Sequence, residues 1–335
     1  MAGFDYAGAI ELFDEADSIV VCGHVNPDGD CLGSVLALTM ALRARGRNAV
    51  PLLATASKPE VYSFLDGYDL MVPAREYKET PDLFVVVDVP NPERTGDGFA
   101  VFSRAKKSVQ IDHHTPQKEF ATKTYVDKDA PAAGVLIWEL LKQMDCTSPS
   151  AAASCYVALM TDTCRFQFQN ADARAFAAAS EMVAAGASPS ELATLVYQHR
   201  SRGALELQRL VIERMETFFD GRAVISWVED EDFTKLEASR ENDGDNLIDI
   251  IRELGSAEIA VMLRGQHGVV RGSIRSKNER DVAAIAEKLG GGGHRAAAGF
   301  TYHGTVAKAR KRLLYLLKDE FASEPEPSAD TGDQQ

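Results

Sequence analysis

The sequence predicts an α/β chain: an N-terminal, mostly parallel sheet flanked by helices, a helical connector, and a smaller C-terminal α/β domain. Three observations carry this. Short β-branched or apolar runs alternate with helical patterns through the first half. Several of those runs end in acids or histidines, and beyond residue 222 the runs become shorter and pair around a turn. Taken in order, residues 5–16 read as a helix and SIVVCG (18–23) as the first strand. Leu32 to Arg45 is an apolar-periodic helix stopped at Gly46, and NAVPLL (48–53) is a second strand. Runs at 83–88 and 108–112 continue the sheet, with helices at 132–144, 150–161 and 172–186. Ala187-Ser188-Pro189-Ser190 opens a charged helical stretch without an obvious strand, read as a connector over 188–220. RAVISWV (222–228), AEIAVMLRG (257–265) and VVRGSIRS (269–276) are strands, the last two joined by a turn at Gln266-His267-Gly268. Helices at 281–289 and 305–319 follow. The domains expected are 1–187 and 221–319, with an acidic, Pro-rich tail over 320–335 whose composition favours disorder.

With 335 residues the chain is long enough for two cores, and its 45% apolar and 26% charged content suits a soluble globular protein. No stretch approaches the roughly 20 uninterrupted apolar residues of a membrane helix, so no membrane partner is expected. The start, MAGFDYAGAIELFDEADS, is acidic and shows no export signal. The cysteines (Cys22, Cys31, Cys146, Cys155, Cys164) lack metal-finger spacing, which fits reduced thiols in cytoplasm. A formal charge of −14 argues against coating long nucleic acid, because Lys and Arg drive phosphate binding. It leaves room for a short anionic substrate. The segment 264–300 carries seven basic residues against three acids, a confined positive excess.

The chemical signal lies in four clusters. They read His24-Val25-Asn26-Pro27-Asp28-Gly29-Asp30, then Asp88, then Asp112-His113-His114, then Thr161-Asp162-Thr163. Taken singly, each has an ordinary structural use; Asp30 can cap the helix after it, and Asp162 a turn. Carboxylates and imidazoles are costly in a core, so successive apolar strands ending in them point to a purpose. At the carboxyl ends of parallel strands they would meet in one crevice. Only multivalent cations stabilise that much negative charge at close quarters. Imidazole and carboxylate donors without thiolates favour Mn²⁺, with Mg²⁺, Fe²⁺ or Co²⁺ also suited. The donors are too many for one ion. Two ions about 3.5–4 Å apart could share a carboxylate, generate hydroxide and clamp a phosphoryl oxygen.

GSIRSK (272–277) and GGGGHRAAAG (290–299) form a second constellation. Consecutive glycines expose backbone N–H groups to a ligand, His294 adds a donor, and Ala296 to Ala298 with Gly299 keep the following turn small. Arg275 and Ser276 offer a guanidinium and a hydroxyl to a phosphate. Beside the basic excess, this reads as an anion site rather than a hinge.

H-x-N-P-D-G-D-x-L-G-S, the later D-H-H, the T-D-T and the Gly-Gly-Gly-Gly-His resemble the DHH phosphoesterase superfamily from residue 18 to about 318. Within it the chain is most similar to the stand-alone nanoRNase (oligoribonuclease)/pAp phosphatases and the cyclic-di-AMP or pApA phosphodiesterases. The resemblance implies that His24, Asp28 and Asp88 hold one Mn²⁺. It implies that Asp30, Asp88, His113 and Asp162 hold the other, with Asp88 bridging. His114 would act on the scissile phosphate or the leaving oxygen, and Asp112 would orient the histidines, a role such carboxylates commonly serve. Arg94 stands where relatives carry an arginine after the bridging Asp. Arg275, Ser276, Gly292, Gly293 and His294 would bind substrate from a DHH-associated domain across an inter-domain cleft. Cys164 departs from the pattern, since relatives usually carry Gly there.

The activity so implied is Mn²⁺-dependent hydrolysis of short nucleotides to nucleoside monophosphates. The substrates would be oligoribonucleotides of a few residues, pApA, cyclic di-AMP or 3′-phosphoadenosine 5′-phosphate (pAp). A manganese inorganic pyrophosphatase shares the metal cluster but not the glycine-histidine loop. A RecJ-like exonuclease on long DNA conflicts with the net charge, and a decayed nucleotide sensor conflicts with the complete ligand set. The sequence is compatible with a homodimer.

Overall fold

A computed structural model describes residues 4–322 apart from 57, 116–118, 241–243, 245–246 and 278–279. The chain packs as two units, divided between His199 and Arg200. Strands of the first unit are β1 (Ile19–Cys22), β2 (Ala49–Leu53), β3 (Val72–Pro73), β4 (Leu83–Val87), β5 (Lys107–Asp112) and β6 (Lys123–Val126). They form one sheet in the order β3-β2-β1-β4-β5-β6, with every pairing parallel. β1 and β4 are buried at every residue, which is why they read as unbroken apolar runs: a strand covered on both faces has no wet side. From β1 the chain winds to one edge through β2 and β3, returns beside β1 as β4, and winds to the other edge. That reversal makes a switch point between β1 and β4, and open α/β sheets bind ligands outside the carboxyl ends of such strands.

Helices α1 (Ala7–Glu15), α2 (Gly29–Ala44), α3 (Phe99–Phe102), α4 (Ala133–Gln143), α5 (Pro149–Asp162), α6 (Ala173–Ala184) and α7 (Pro189–Tyr197) cover the sheet. Ile19 and Val21 face a large core with α1, α2, α4 and α5, while Val20 and Cys22 face a smaller one with Val101 of α3. This alternation is the period-two rule of a strand. α2 is buried around most of its circumference because it packs tightly on α5. Gly33 permits that approach, since a Cβ there would stand 2.4 Å from the Ser154 carbonyl oxygen.

The second unit contains α8 (Arg202–Glu213), β7 (Glu216–Phe218), β8 (Ala223–Val228), β9 (Ile259–Gln266), β10 (Val269–Ser276), β11 (Gly292–His294) and β12 (Ala297–His303). Its sheet runs β11-β12-β10-β9-β8-β7, with β8 and β9 parallel and the other pairings antiparallel. Helices Val282–Glu287 and Val306–Ala322 bury one face, and α8 with Leu247–Arg252 buries part of the other.

Three segments differ from the sequence reading. Residues 188–220 are not one helical stretch: α7 sends Leu192 into the first core, α8 sends Leu207 and Val211 into the second unit, and β7 is a strand. The charge of α8 masked its apolar stripe, because Arg209 pairs with Glu206 and Glu213 on the solvent side. Ala297 to Gly299, read as a turn, belongs to β12. The final helix continues to Ala322, and the rest of the expected tail lies outside the described residues. Among the described residues, no helix is long and apolar enough to cross a membrane.

Candidate metal centre and anion-binding edge

β1 delivers the chain into the 24–30 loop. His24 sets its Nδ1 2.8 Å from the Val25 carbonyl, which turns Nε2 toward Asp88 Oδ2 at 3.3 Å and Asp28 Oδ1 at 3.8 Å. Asp28 is the N-cap of α2, its carboxylate accepting from the Cys31 N–H at 3.0 Å. Two residues on, Asp30 is buried and caps a different helix. α4 has no side-chain cap of its own, and Asp30 accepts from the Ala133 and Gly134 N–H groups at 2.8 Å each. Asp88 follows β4 in the left-handed region at φ 60°, which Asp tolerates better than most residues. Its N–H donates to the Ile111 carbonyl on β5.

β5 brings in the last group. His113 Nε2 lies 3.4 Å from Asp88 Oδ1 and 3.5 Å from Asp30 Oδ2. Asp112 is fully buried, and its Oδ1 accepts from the N–H groups of His113 and His114 and meets His114 Nδ1 at 2.8 Å. Asp162 ends α5, where Asn170 Nδ2 donates to its Oδ2 at 2.9 Å and to the Pro131 carbonyl at 2.8 Å. Potential ligand atoms of Asp30, His113 and Asp162 lie within 4.8 Å of one another, as do those of Asp88, His113 and His114. The predicted residues His24, Asp28, Asp30, Asp88, Asp112, His113, His114 and Asp162 thus meet at the switch point.

Two residues of this cluster were missed. Cys31 joins His24 and Asp88 in a third such group, and Asn170 braces Asp162. The cysteine spacing gave no sign of the first, although its place one residue after Asp30 could have. Cys164, the departure from the family pattern, adopts φ 49°, a conformation glycine takes without strain. Arg94 is exposed, and its carbonyl accepts from Val25 N–H at 2.8 Å, tying its segment to the His24 loop.

The charges are strongly coupled. Burial opposes a charged His24, yet Cys31, Asp28 and Asp88 hold its pKa well above the ordinary value. Burial likewise opposes a charged His113, and Asp88, Asp162 and Asp30 outweigh it. For Asp88, burial would raise the pKa, but the His113 and His24 imidazoles beside it hold it far below the usual range. Burial and then Asp88 push Asp30 well up, and burial chiefly pushes Asp162 up to about 6. Protons on the imidazoles and on these two acids balance the cluster, and cations would displace them. Asp88 Oδ1 is buried and accepts no hydrogen bond, so an acceptor is open at the centre of a His/Asp set that fits divalent cations.

A pH dependence follows from these directions. Asp30 and Asp162 hold protons more readily in the folded state; the contribution of Asp162 falls as pH rises from about 4 to about 6, and that of Asp30 as pH climbs through its own raised value. His24 and His113 contribute fully below about 6.5 and lose that contribution as pH climbs through their higher folded values. Asp88 runs the other way and matters on acidification below about 4. Chelated protein should therefore melt at progressively lower temperature as pH rises from about 5 to about 9, and added Mn²⁺ should restore more at higher pH. Thermal melts with and without chelator test this; a cation-dependent gain that shrinks with rising pH contradicts it.

In the second unit, Arg275 and Ser276 occupy successive positions of β10 and therefore opposite faces. Ser276 is 3% exposed, on the core face. Ser273 shares the half-exposed face of Arg275 instead. The glycine run is not an open loop. Gly292, Gly293 and His294 form β11, paired with Gly299, Ala298 and Ala297. Gly291 and Gly293 are required by that hairpin, since a Cβ would stand 2.0 Å from the Gly299 oxygen and 2.5 Å from the Ala297 oxygen respectively. A Cβ at Gly292 would meet nothing within 4 Å. β11 is the edge strand, and among the described residues no strand pairs with its outer side. Part of the basic excess is committed elsewhere: Arg280 pairs with Glu258 and Glu320.

Comparison with known proteins agrees with this arrangement. The family model "DHH family, N-terminal domain" matches residues 18–187, and the DHHA1 domain matches residues 234–323. A bifunctional oligoribonuclease and PAP phosphatase of Thermus thermophilus is 28% identical over 309 residues, 90% of each chain. A cyclic-di-AMP phosphodiesterase of Listeria monocytogenes is 27% identical over 329 residues, covering 92% of this chain and 48% of that protein. An exopolyphosphatase-related protein from Bacteroides fragilis has the same fold, with a TM-score of 0.88 at 22% identity over 94% of this chain and 96% of its own. With the first match spanning about half of the residues and bearing every clustered acid and histidine, the chain belongs to the DHH family of phosphoesterases.

Proposed function

We propose that the protein hydrolyses short nucleotides, namely oligoribonucleotides of a few residues, pApA, cyclic di-AMP or pAp, to nucleoside monophosphates with two divalent cations of the Mn²⁺ type. The observation that carries this is the meeting of His24, Asp28, Asp30, His113 and Asp162 around Asp88, whose buried Oδ1 accepts no hydrogen bond. The cations would supply an activated water and offset phosphate charge. Asp88 would be the shared ligand, with His24 and Asp28 holding one cation and Asp30, His113 and Asp162 the other. Asp112 holds His114 by Nδ1 and leaves Nε2 to donate a proton to the departing ribose oxygen. Arg94 contacts the phosphate. Arg275 and Ser273, with the backbone of Gly292 and Gly293 and with His294, grip the rest of the nucleotide. The names of the relatives support this substrate class. All five cysteines are free, as a reducing compartment such as the cytoplasm keeps them.

A turnover panel with Mn²⁺ tests the reading: di- to pentaribonucleotides, pApA, cyclic di-AMP, pAp and pyrophosphate. Turnover of one or more nucleotides with pyrophosphate untouched is expected, and pyrophosphate as the best substrate overturns it. Arg275→Ala should cost nucleotide substrates about 1.5–3 kcal/mol, the value of a charged hydrogen bond. That is roughly tenfold to a hundredfold in kcat/KM. Bis-p-nitrophenyl phosphate should be hydrolysed nearly as before. Equal losses on both substrates would remove Arg275 from the substrate grip.

A further inference from the structure

Cys31 lies in the first turn of α2, and its place is closely determined. Asp28 caps its N–H at 3.0 Å. Its Sγ is pressed against the backbone at Gly23, where a Cβ would stand 2.1 Å away. The thiol is buried, the residue being 1% exposed. A buried cysteine ordinarily packs as a small hydrophobe. This one faces an imidazole and a carboxylate, with potential ligand atoms of His24, Cys31 and Asp88 all within 4.8 Å of one another. Asp88, 2% exposed, turns Oδ2 to this group, 3.3 Å from His24 Nε2, while its buried Oδ1, without a hydrogen-bond partner, faces His113, so one carboxylate joins the Cys31 group to an acceptor left open for a cation. Sequence reasoning favoured Mn²⁺ because the donor set lacked sulfur, and the structure brings sulfur in.

We propose that Cys31 is a further donor to the cation held by His24, Asp28 and Asp88, and that it biases this position toward Zn²⁺, Co²⁺ or Fe²⁺ over Mn²⁺ and Mg²⁺. The proposal rests on the metal-centre reading above. On coordination the thiol gives its proton to solvent, one metal–sulfur bond forms, and no electron is transferred. Thiolate is a soft ligand, whereas Mn²⁺ and Mg²⁺ suit oxygen donors. The companion position, with Asp30, His113 and Asp162, offers only nitrogen and oxygen. The two positions are therefore chemically unlike, and a mixed pair of ions is the natural loading.

Cobalt reports both levels separately. Full-length protein is stripped with chelator and titrated with Co²⁺, counting bound ions by equilibrium dialysis and recording the spectrum. Visible ligand-field bands report a bound ion, and a near-ultraviolet sulfur-to-cobalt charge-transfer band reports a thiolate ligand. The wild-type protein should show both. Cys31→Ser should keep the visible bands and lose the charge-transfer band. Its Zn²⁺-over-Mn²⁺ affinity ratio should fall by about tenfold or more, the scale on which even outer partners of a metal act. Cobalt bound without a charge-transfer band in the wild type overturns the proposal while leaving the metal centre in place. A band persisting in Cys31→Ser assigns it to another cysteine and overturns it equally. No cobalt bound at all removes the metal centre and the proposal together. Because the wild-type spectrum decides the first question, the result does not depend on how the variant folds.

Discussion

Asp88→Asn is expected to abolish turnover of every phosphoester the enzyme accepts while leaving the fold intact. Asp88 alone reaches both halves of the cluster, with Oδ2 at 3.3 Å from His24 and Oδ1 at 3.4 Å from His113. A carboxamide keeps the shape and tolerates the left-handed backbone at this position, so the thermal transition should survive. It cannot offer two anionic oxygens to two cations. The loss should exceed the roughly 10²–10³-fold that follows removal of a single transition-state donor, because the shared ligand serves both positions. Purified variant assayed on a dinucleotide and on bis-p-nitrophenyl phosphate checks this. Activity within about tenfold of the wild type would end the bridging role.

Asp112→Asn should lower kcat by about 10²–10⁴-fold, the usual range for a positioned proton donor, with little change in KM. Asp112 Oδ1 accepts from three donors, and Oδ2 is buried without a hydrogen bond. An asparagine has two ways to sit there, and each is poor. With its oxygen toward His114, the amide NH₂ is buried unpaired; flipped, the NH₂ faces three donors. Either arrangement costs about 1–3 kcal/mol of stability and loosens the ring that must present Nε2 to the leaving oxygen. An unchanged kcat would show that Asp112 only shapes the loop.

The central strands and the metal cluster were legible because burial writes itself into sequence. β1 and β4 are covered on both faces, so each is an apolar run, and the acids and histidines beyond them interrupt the pattern abruptly. Edge elements leave a fainter trace. β6 reads KTYV and buries only Tyr125, and β7 is three residues of mostly half-buried side chains. β11 was hidden by its glycines, which serve a close backbone approach rather than looseness. Cys31 escaped notice because its partners, His24 and Asp88, lie on different segments, and no local spacing rule connects them.

The winding of the first sheet has a further consequence for when this chemistry can exist. The proposed ligands come from residues 24–30, 88, 113 and 162, and β4 must insert beside β1 before the first two sets meet. No contiguous stretch holds a complete position, so a chain still being synthesised carries His24 and Asp28 long before Asp162 exists to join Asp30. Contacts so distant in sequence form late in folding. With the proposed ligand set, completion of the first unit is the event that arms the catalyst, and a nascent or truncated chain ending before α5 is expected to be hydrolytically inert.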